Sequence, residues 1–517
     1  MAEFRTKILK FIAKAMVAVM GLIPFLSPLS PENNVKIKVN PFCEQQEFDG
    51  FGTSAAWWSQ MVSEESDRKE LAKELYSKDG LGLSIYRYNV GGGVNPEHDR
   101  VGDPSRRTES FYYFNEETGK YEYDFSRDAN AQAMLFEALG QENSTVDTVI
   151  LFANSPHYSM TISGEASGNY EKGKTNITAD KYDDFVDYFL TITEYFISKG
   201  VPVKYISPIN EPQWDWSGEW VGQEGCHYEK EQVLELLALF SKAIDERGLD
   251  VKISAPESGQ LGAAWTDDGW SNEIREDTLY WFDTIVSDKE PYKNVTSLAY
   301  HSYWHDDTVS VKKNLGSLVE EGRFDGYKIE MSEWCELPCN TPVDDVKAAV
   351  IMARVMANDI SFSKVNSWTS WVAVNGTGEK DGKLYSDGMY YANADYSKFN
   401  KTTRYNAMAH FSKFVPAGSV VLKAEGDALS AFYNDKWNVW WDLMHECNFC
   451  AFRTPEGKTV IVVVNEGHDR TINVPTLSLK MSVTTTDSDH SFEETYNGVN
   501  KGIISVKADS INTIVLG

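Results

Sequence analysis

Two glutamates carry the chemistry for which this chain is equipped. Asn210-Glu211-Pro212 ends the apolar run 203–209, and Glu333 follows the apolar run 326–331. Each run reads as a strand. Two carboxylates on the same rim of one sheet are what cleavage of a glycosidic bond needs, one as proton donor and the other as nucleophile or base. Taken alone, Asn-Glu-Pro is equally a strand-ending turn and Glu333 a surface charge. What surrounds them decides between these readings.

From about residue 48 the chain alternates short β-like runs with amphipathic helices. The strand candidates are 48–52, 82–89, 148–154, 203–209, 251–255, 295–302, 326–332 and 365–372. Between them, Phe185, Phe189, Ile192 and Phe196 share one helical face closed by Gly200, and Val233, Leu236, Leu237, Phe240 and Ile244 share another closed by Gly248. Residues 344–362 and 402–414 complete the set. Eight strand–helix repeats predict an α/β fold, a (β/α)8 barrel over 48–416. After Pro416 the helical period stops. Short β-branched runs at 420–422, 428–432, 459–464, 471–474, 481–486 and 511–516 predict a side β-sandwich over 417–517. Residues 31–47 contain an alternating run, 35–39, that is expected to join this sandwich as an N-terminal strand. Residues 436–450 fit no element.

In a barrel of this kind, function sits at the carboxyl ends of the strands. The suggestive residues all fall there: Trp57 and Trp58 after strand 1, Arg87 before Gly91-Gly92-Gly93 on strand 2, and Asn154 after strand 3. Strand 4 leads into Asn210, Glu211 and Trp214, strand 5 into Glu257, and strand 6 into His301 and Tyr303. Strand 7 ends at Glu333, and strand 8 brings Trp368 and Trp371. Packing alone does not explain such a convergence.

The runs GFGTSAAWW (50–58), RYNVGGG (87–93), ANSPHYSMTISG (153–164), NEPQWDW (210–216), QEGC (223–226), AYHSYW (299–304) and MSEW (331–334) resemble glycoside hydrolase family 30. HFSKFVPAGS (410–419) is similar to that family's join between barrel and sandwich. The resemblance spans about residues 40–517. It implies catalytic glutamates after strands 4 and 7, and the Thr-Ser and paired Trp of strand 1 are most like the endo-β-1,6-galactanase branch. Glu211 is then the general acid/base, its pKa raised by an apolar surround and a neighbouring carboxylate. Glu333 is the nucleophile and is preferred over Glu330 on the resemblance. Arg87 is expected to hold the charge of Glu333, Tyr303 to donate a hydrogen bond to it, and Asn210 to bond the sugar 2-hydroxyl. Trp57, Trp58, Trp214, Trp368 and Trp371 are candidate stacking walls, with only two or three expected to touch sugar. Trp216 and Trp220 are placed with Trp214 on the leaving-group side. His301 is expected to be a hydrogen-bonding scaffold. Glu257 is a candidate for a sugar hydroxyl or for Arg87, and Glu330 is expected to point away from Glu333 because successive strand residues face opposite sides.

Composition narrows the partners. The chain has 517 residues, 42% apolar and 13% aromatic, with a net charge of −28. Such a charge opposes nucleic acid, whose phosphates need a basic surface, and fits neutral polysaccharide or oligosaccharide. Arg5, Lys7, Lys10 and Lys14 precede the apolar run 15–26, and Pro24, Pro28 and Pro31 interrupt it. This is the layout of a secretory signal over 1–30. It predicts a secreted or cell-surface protein, with no membrane association beyond an anchor if that segment is left uncleaved. Six cysteines in a secreted chain suggest pairing. Cys335-x3-Cys339 and Cys447-x2-Cys450 lack an accompanying His pair and fall in different domains, so no structural metal is expected. No cofactor is expected either, and the chain is expected to act as a monomer. The alternatives are another activity of the same family (β-xylanase, β-1,6-glucanase or β-glucosidase) and a non-catalytic carbohydrate-binding protein on the same scaffold.

Overall fold

The computed structural model describes residues 34–517 apart from 220, 262–277, 305–308, 427–429, 435–440 and 477. The signal-like segment and Trp220 lie outside the described residues. Eight parallel strands close into a barrel: β1 (Gly50–Ser54), β2 (Ile85–Asn89), β3 (Thr148–Phe152), β4 (Val203–Ser207), β5 (Lys252–Ser258), β6 (Val295–His301), β7 (Lys328–Glu333) and β8 (Ser367–Val372). Each of the eight expected runs overlaps one of them. β3 reads Thr-Val-Ile-Leu-Phe and is buried throughout, as a parallel strand covered on both faces must be. The helix Tyr182–Ser198 buries Phe185, Phe189, Ile192 and Phe196. The helix Lys230–Arg247 is tied at its start by Gln232, whose side chain accepts from the Glu229 N–H, and is ended by Gly248 at φ 64°.

Apart from four small sheets of two or three strands, the remaining described β structure is a nine-stranded assembly. Its order is Glu493–Val499, Lys480–Thr486, Ser510–Leu516, Thr459–Asn465, Cys447–Arg453, Ser419–Gly426, the N-terminal strand Asn34–Phe48, Arg470–Asn473 and Ile503–Val506. The N-terminal strand runs antiparallel to Ser419–Gly426, then pairs in parallel with Arg470–Asn473 through Asn34, Val35 and Lys36. Alternation along Thr459–Asn465 divides the burial. Val460, Val462 and Val464 join the barrel's core, while Ile461 and Val463 pack with Val35, Ile37, Leu422, Ile472 and Ile514 in a second one. The sandwich is therefore apolar on its inside and on the face it turns to the barrel. Polar links also cross that joint, among them Arg354 Nη1 to Glu466 Oε2 at 2.7 Å, and His410, whose ring nitrogens lie 2.8 Å from Thr513 Oγ1 and 2.9 Å from Thr486 Oγ1.

Within the stretch 436–450 that fitted no element, 441–445 form a strand and 447–450 begin another, Cys447–Arg453. All six cysteines are free thiols, against the expected pairing. Cys447 belongs to the sandwich core and Cys450 to the barrel-side core, because residues three apart on a strand face opposite ways. That geometry denies them a shared bridge or ion. No helix among the described residues is long and apolar enough to cross a membrane.

Candidate active site

The strand ends gather five ionisable groups in one buried cluster. Arg87, near the end of β2, is fully buried. Its Nη1 donates to Glu333 Oε2 at 2.8 Å, its Nη2 donates to Asn210 Oδ1 at 3.2 Å, and Nη2 also lies 3.6 Å from Glu257 Oε2. The guanidinium sits 3.8 Å from the centroid of Phe152, so one face rests on a ring while its edge serves three strand ends. Tyr303 donates to the other oxygen of Glu333, Oε1, at 2.9 Å. Both expected partners of Glu333 are thus in contact with it.

Glu211 follows β4 at φ 45°, a conformation costly for a non-glycine residue and typical of constrained sites. Its backbone N–H donates to the Glu257 carbonyl at 2.9 Å, and its Oε1 lies 3.1 Å from His301 Nδ1. A carboxylate oxygen of Glu211, one of Glu333 and a ring nitrogen of His301 all lie within 4.8 Å of one another. His301 Nε2 faces Glu257 Oε2 at 3.1 Å. Burial would lower the His301 pKa, but Glu333, Glu211 and Glu257 together lift it to about 10. A protonated imidazole offers no lone pair to a metal ion, and Arg87 already supplies positive charge there. The trio is therefore better described as an ion-pair cluster than as a cation site.

Glu257 behaves oppositely. Burial would raise its pKa, but Arg87, His301 and Ser332 hold it down at about 2. Glu333 is lifted above the usual carboxylate range by burial, with His301 and Arg87 pulling the other way. Two cations thus face three carboxylates in one buried cluster.

The structure corrects several expectations. Glu330 does not point away. Its Oε2 accepts from Ser254 Oγ at 2.7 Å across non-adjacent strands, which requires a path through the barrel interior. An irregularity in the pairing of β6 and β7 between Met331 and Glu333 breaks the simple alternation. Burial lifts the Glu330 pKa to about 7. Trp58 and Trp368 are fully buried and present no wall: Trp58 Nε1 donates to the Ser54 carbonyl and Trp368 Nε1 to Asp359 Oδ2, each at 3.0 Å. Trp57 and Trp371 do meet, edge to face at 4.9 Å, and Trp371 reaches the Phe152 ring that carries Arg87. Trp214 and Trp216 are half-buried beside Glu211, and Trp216 Nε1 donates to the Glu211 carbonyl at 3.2 Å. Trp216 lies directly on Gly225, where a Cβ would come within 2.3 Å of the ring. Asn154 accepts from Asn210 Nδ2 at 3.2 Å, and its own buried Nδ2 has no hydrogen-bond partner among the described residues. Sequence reasoning missed Ser207 and Ser332, whose hydroxyls both donate to Glu257. Their only signal was a position at or near a strand end.

Residues 34–385 match O-glycosyl hydrolase family 30, and residues 444–514 match the glycosyl hydrolase family 30 β-sandwich domain. The chain belongs to glycoside hydrolase family 30. It is an enzyme, a glycosidase of β-linked polysaccharides. It is 21% identical over 407 residues to an endo-β-1,6-galactanase of Hypocrea rufa, covering 75% of this chain and 76% of that one. It is 22% identical over 409 residues to an endo-1,6-β-D-glucanase of Aspergillus fumigatus, covering 74% and 73%. A solved conserved exported protein from Bacteroides fragilis has the same fold, with a TM-score of 0.76 at 22% identity over 93% of this chain and 100% of that one.

Proposed function

We propose that this family 30 enzyme is a retaining endo-β-1,6-galactanase in which Glu333 is the nucleophile and Glu211 the acid/base. The observation that carries the reading is the closeness of the two glutamates: one carboxylate oxygen of Glu211 lies within 4.8 Å of one of Glu333. Retaining enzymes hold their carboxyl groups about 5–5.5 Å apart, whereas inverting ones leave about 6.5–9.5 Å for a water. Arg87 and Tyr303 each bond one oxygen of Glu333, which aligns the carboxylate for attack on the anomeric carbon. Glu211 protonates the departing oxygen, then takes a proton from the water that releases the glycosyl-enzyme. Asn210 and the unpartnered Nδ2 of Asn154 are the donors for the sugar's hydroxyls, Trp57 and Trp371 line the non-reducing side, and Trp214 and Trp216 line the leaving-group side.

The choice of galactan rests on the galactanase relative and on the acidic chain, which disfavours polyanionic glucuronoxylan. The equally covered glucanase relative makes β-1,6-glucan the competing substrate. The enzyme acts outside the cell as a monomer, exported through its basic–apolar N-terminal segment. Product analysis on β-1,6-galactan, β-1,6-glucan, xylan and aryl glycosides tests the substrate: short β-1,6-galacto-oligosaccharides are expected, and faster cleavage of glucan or xylan overturns that choice. The roles are tested by Glu211→Ala. Loss of about 10²–10⁴-fold is expected on the glycan, with a much smaller loss on substrates whose leaving group needs no proton and partial rescue by azide. Equal loss on both substrate types removes Glu211 from the acid role.

A further inference from the structure

The mechanism above gives no task to Glu257, a carboxylate that meets both Arg87 and His301. We propose that Glu257 is a positioning residue that obliges His301 to donate through Nε2, so that the proton destined for the leaving group is held between His301 Nδ1 and Glu211 Oε1. This rests on Glu211 being the proton donor.

Glu257 is the last residue but one of β5, stands at φ 58° and is 1% exposed. Its backbone carbonyl accepts from the Glu211 N–H, Ser207 donates to Oε1 at 2.7 Å, Ser332 donates to Oε2, and Arg87 lies 3.6 Å from Oε2. A carboxyl group so surrounded stays ionised, and an ionised carboxylate can only accept. The His301 Nε2 that faces it at 3.1 Å must therefore carry a hydrogen. Only Nδ1 is left to vary. It stands 3.1 Å from Glu211 Oε1, and two bare acceptors at that distance would repel, so one proton lies between them. When Glu211 protonates the glycosidic oxygen, the pair loses that proton: Glu211 becomes a carboxylate beside a bare Nδ1, with Nε2–H still on Glu257. Water attacking the glycosyl-enzyme then returns a proton to the same place.

The proton affinity of this pair depends on everything that faces His301. Glu211 comes from the loop after β4, Glu257 from β5, and Glu333 from β7 at 3.7 Å from Nδ1. The Tyr303 ring stands 5.7 Å away, centroid to centroid. Arg87 reaches Glu257 and Glu333 from β2, and Glu330 acts on Glu257 electrostatically from within the barrel. Glu257 is one of three carboxylates that raise the affinity of the imidazole, and removing its charge must lower it.

Glu257→Gln keeps the size and leaves an amide oxygen to accept from Nε2, but removes the charge. In profiles of kcat/KM against pH on β-1,6-galactan, the alkaline limb is expected to move down by about one pH unit or more. An aryl glycoside with an activated leaving group should be much less affected. A uniform fall at every pH on both substrates, as for a merely structural role, overturns the proposal. A second measurement uses the unaltered enzyme labelled with ¹⁵N-histidine, with His301→Asn to assign the signal. Nε2 of His301 should stay protonated between pH 5 and pH 9, and a bare Nε2 in that range contradicts the proposal. Glu211→Ala with azide separates the two levels: rescue together with an unmoved limb in Glu257→Gln sinks only the positioning role, and absent rescue sinks both.

Discussion

Two of the chain's buried imidazoles, His301 and His410, end in opposite charge states. His301 at the barrel mouth faces three carboxylates, which hold it protonated with a pKa of about 10 against the pull of burial. His410 at the joint with the sandwich faces two threonine hydroxyls, and burial pushes it down to about 3. Both rings are fully buried, so burial alone does not decide charge. The partners do. The mouth is an electrostatic region in which like charges are crowded for chemistry. The joint is an apolar region in which polar groups are neutral or paired one to one.

This contrast predicts which loss each region cannot bear. The joint depends on buried area, so removing residues 420–517 would expose the Val460, Val462 and Val464 contact surface on the barrel. Expression of that truncated chain is expected to give no soluble, active barrel, and a soluble and fully active fragment would break the comparison. The mouth depends on charge. Glu333→Gln is expected to cost on the order of 10⁴-fold or more in turnover on every substrate, while thermal unfolding stays near that of the parent because a crowded negative charge has gone. A clear drop in thermal stability would show that the cluster serves folding as well as chemistry.

A smaller effect sharpens the comparison through pH. The folded-state pKa of His410 lies below its unfolded value of about 6.5. The stability it contributes is therefore complete above that value and is lost as pH falls toward 3. His301 has the reverse linkage: its contribution is complete below about 6.5 and is lost as pH rises through about 10. Denaturant titrations of His410→Gln between pH 7 and pH 4.5 should show a shallower fall in stability than the parent, by up to about 1.4 kcal/mol per pH unit. Equal slopes would mean that His410 is not buried neutral.

The barrel was legible because eight apolar runs spaced by 3.6-period helices allow few other arrangements. The two glutamates stood out because each follows such a run, but the choice of Glu333 over Glu330 came from the family resemblance. The sandwich was legible only in part. Glu493–Val499 and Ile503–Val506 are edge strands whose residues are mostly exposed, so no apolar alternation marks them. Cys447–Arg453 is covered on both faces, which also erases alternation. At the mouth, tryptophan identity does not separate walls from core: Trp57 and its neighbour Trp58 read alike, but only Trp57 turns toward Trp371. Glu330 was misread because a local irregularity in strand pairing defeats counting by parity. The central place of Glu257 needs the distances to Arg87 and His301, which come from strands far apart in sequence.

The spacing of Glu211 and Glu333 is the central claim, and the stereochemistry of the first product tests it most directly. Hydrolysis of β-1,6-galactan followed by ¹H NMR within the first minutes, before mutarotation, reads the anomeric configuration of the new reducing end. Initial release of the β-anomer, relaxing later toward the equilibrium mixture, is the result predicted from carboxylate oxygens within 4.8 Å. Initial release of the α-anomer would mean inversion and would contradict the two-glutamate double displacement.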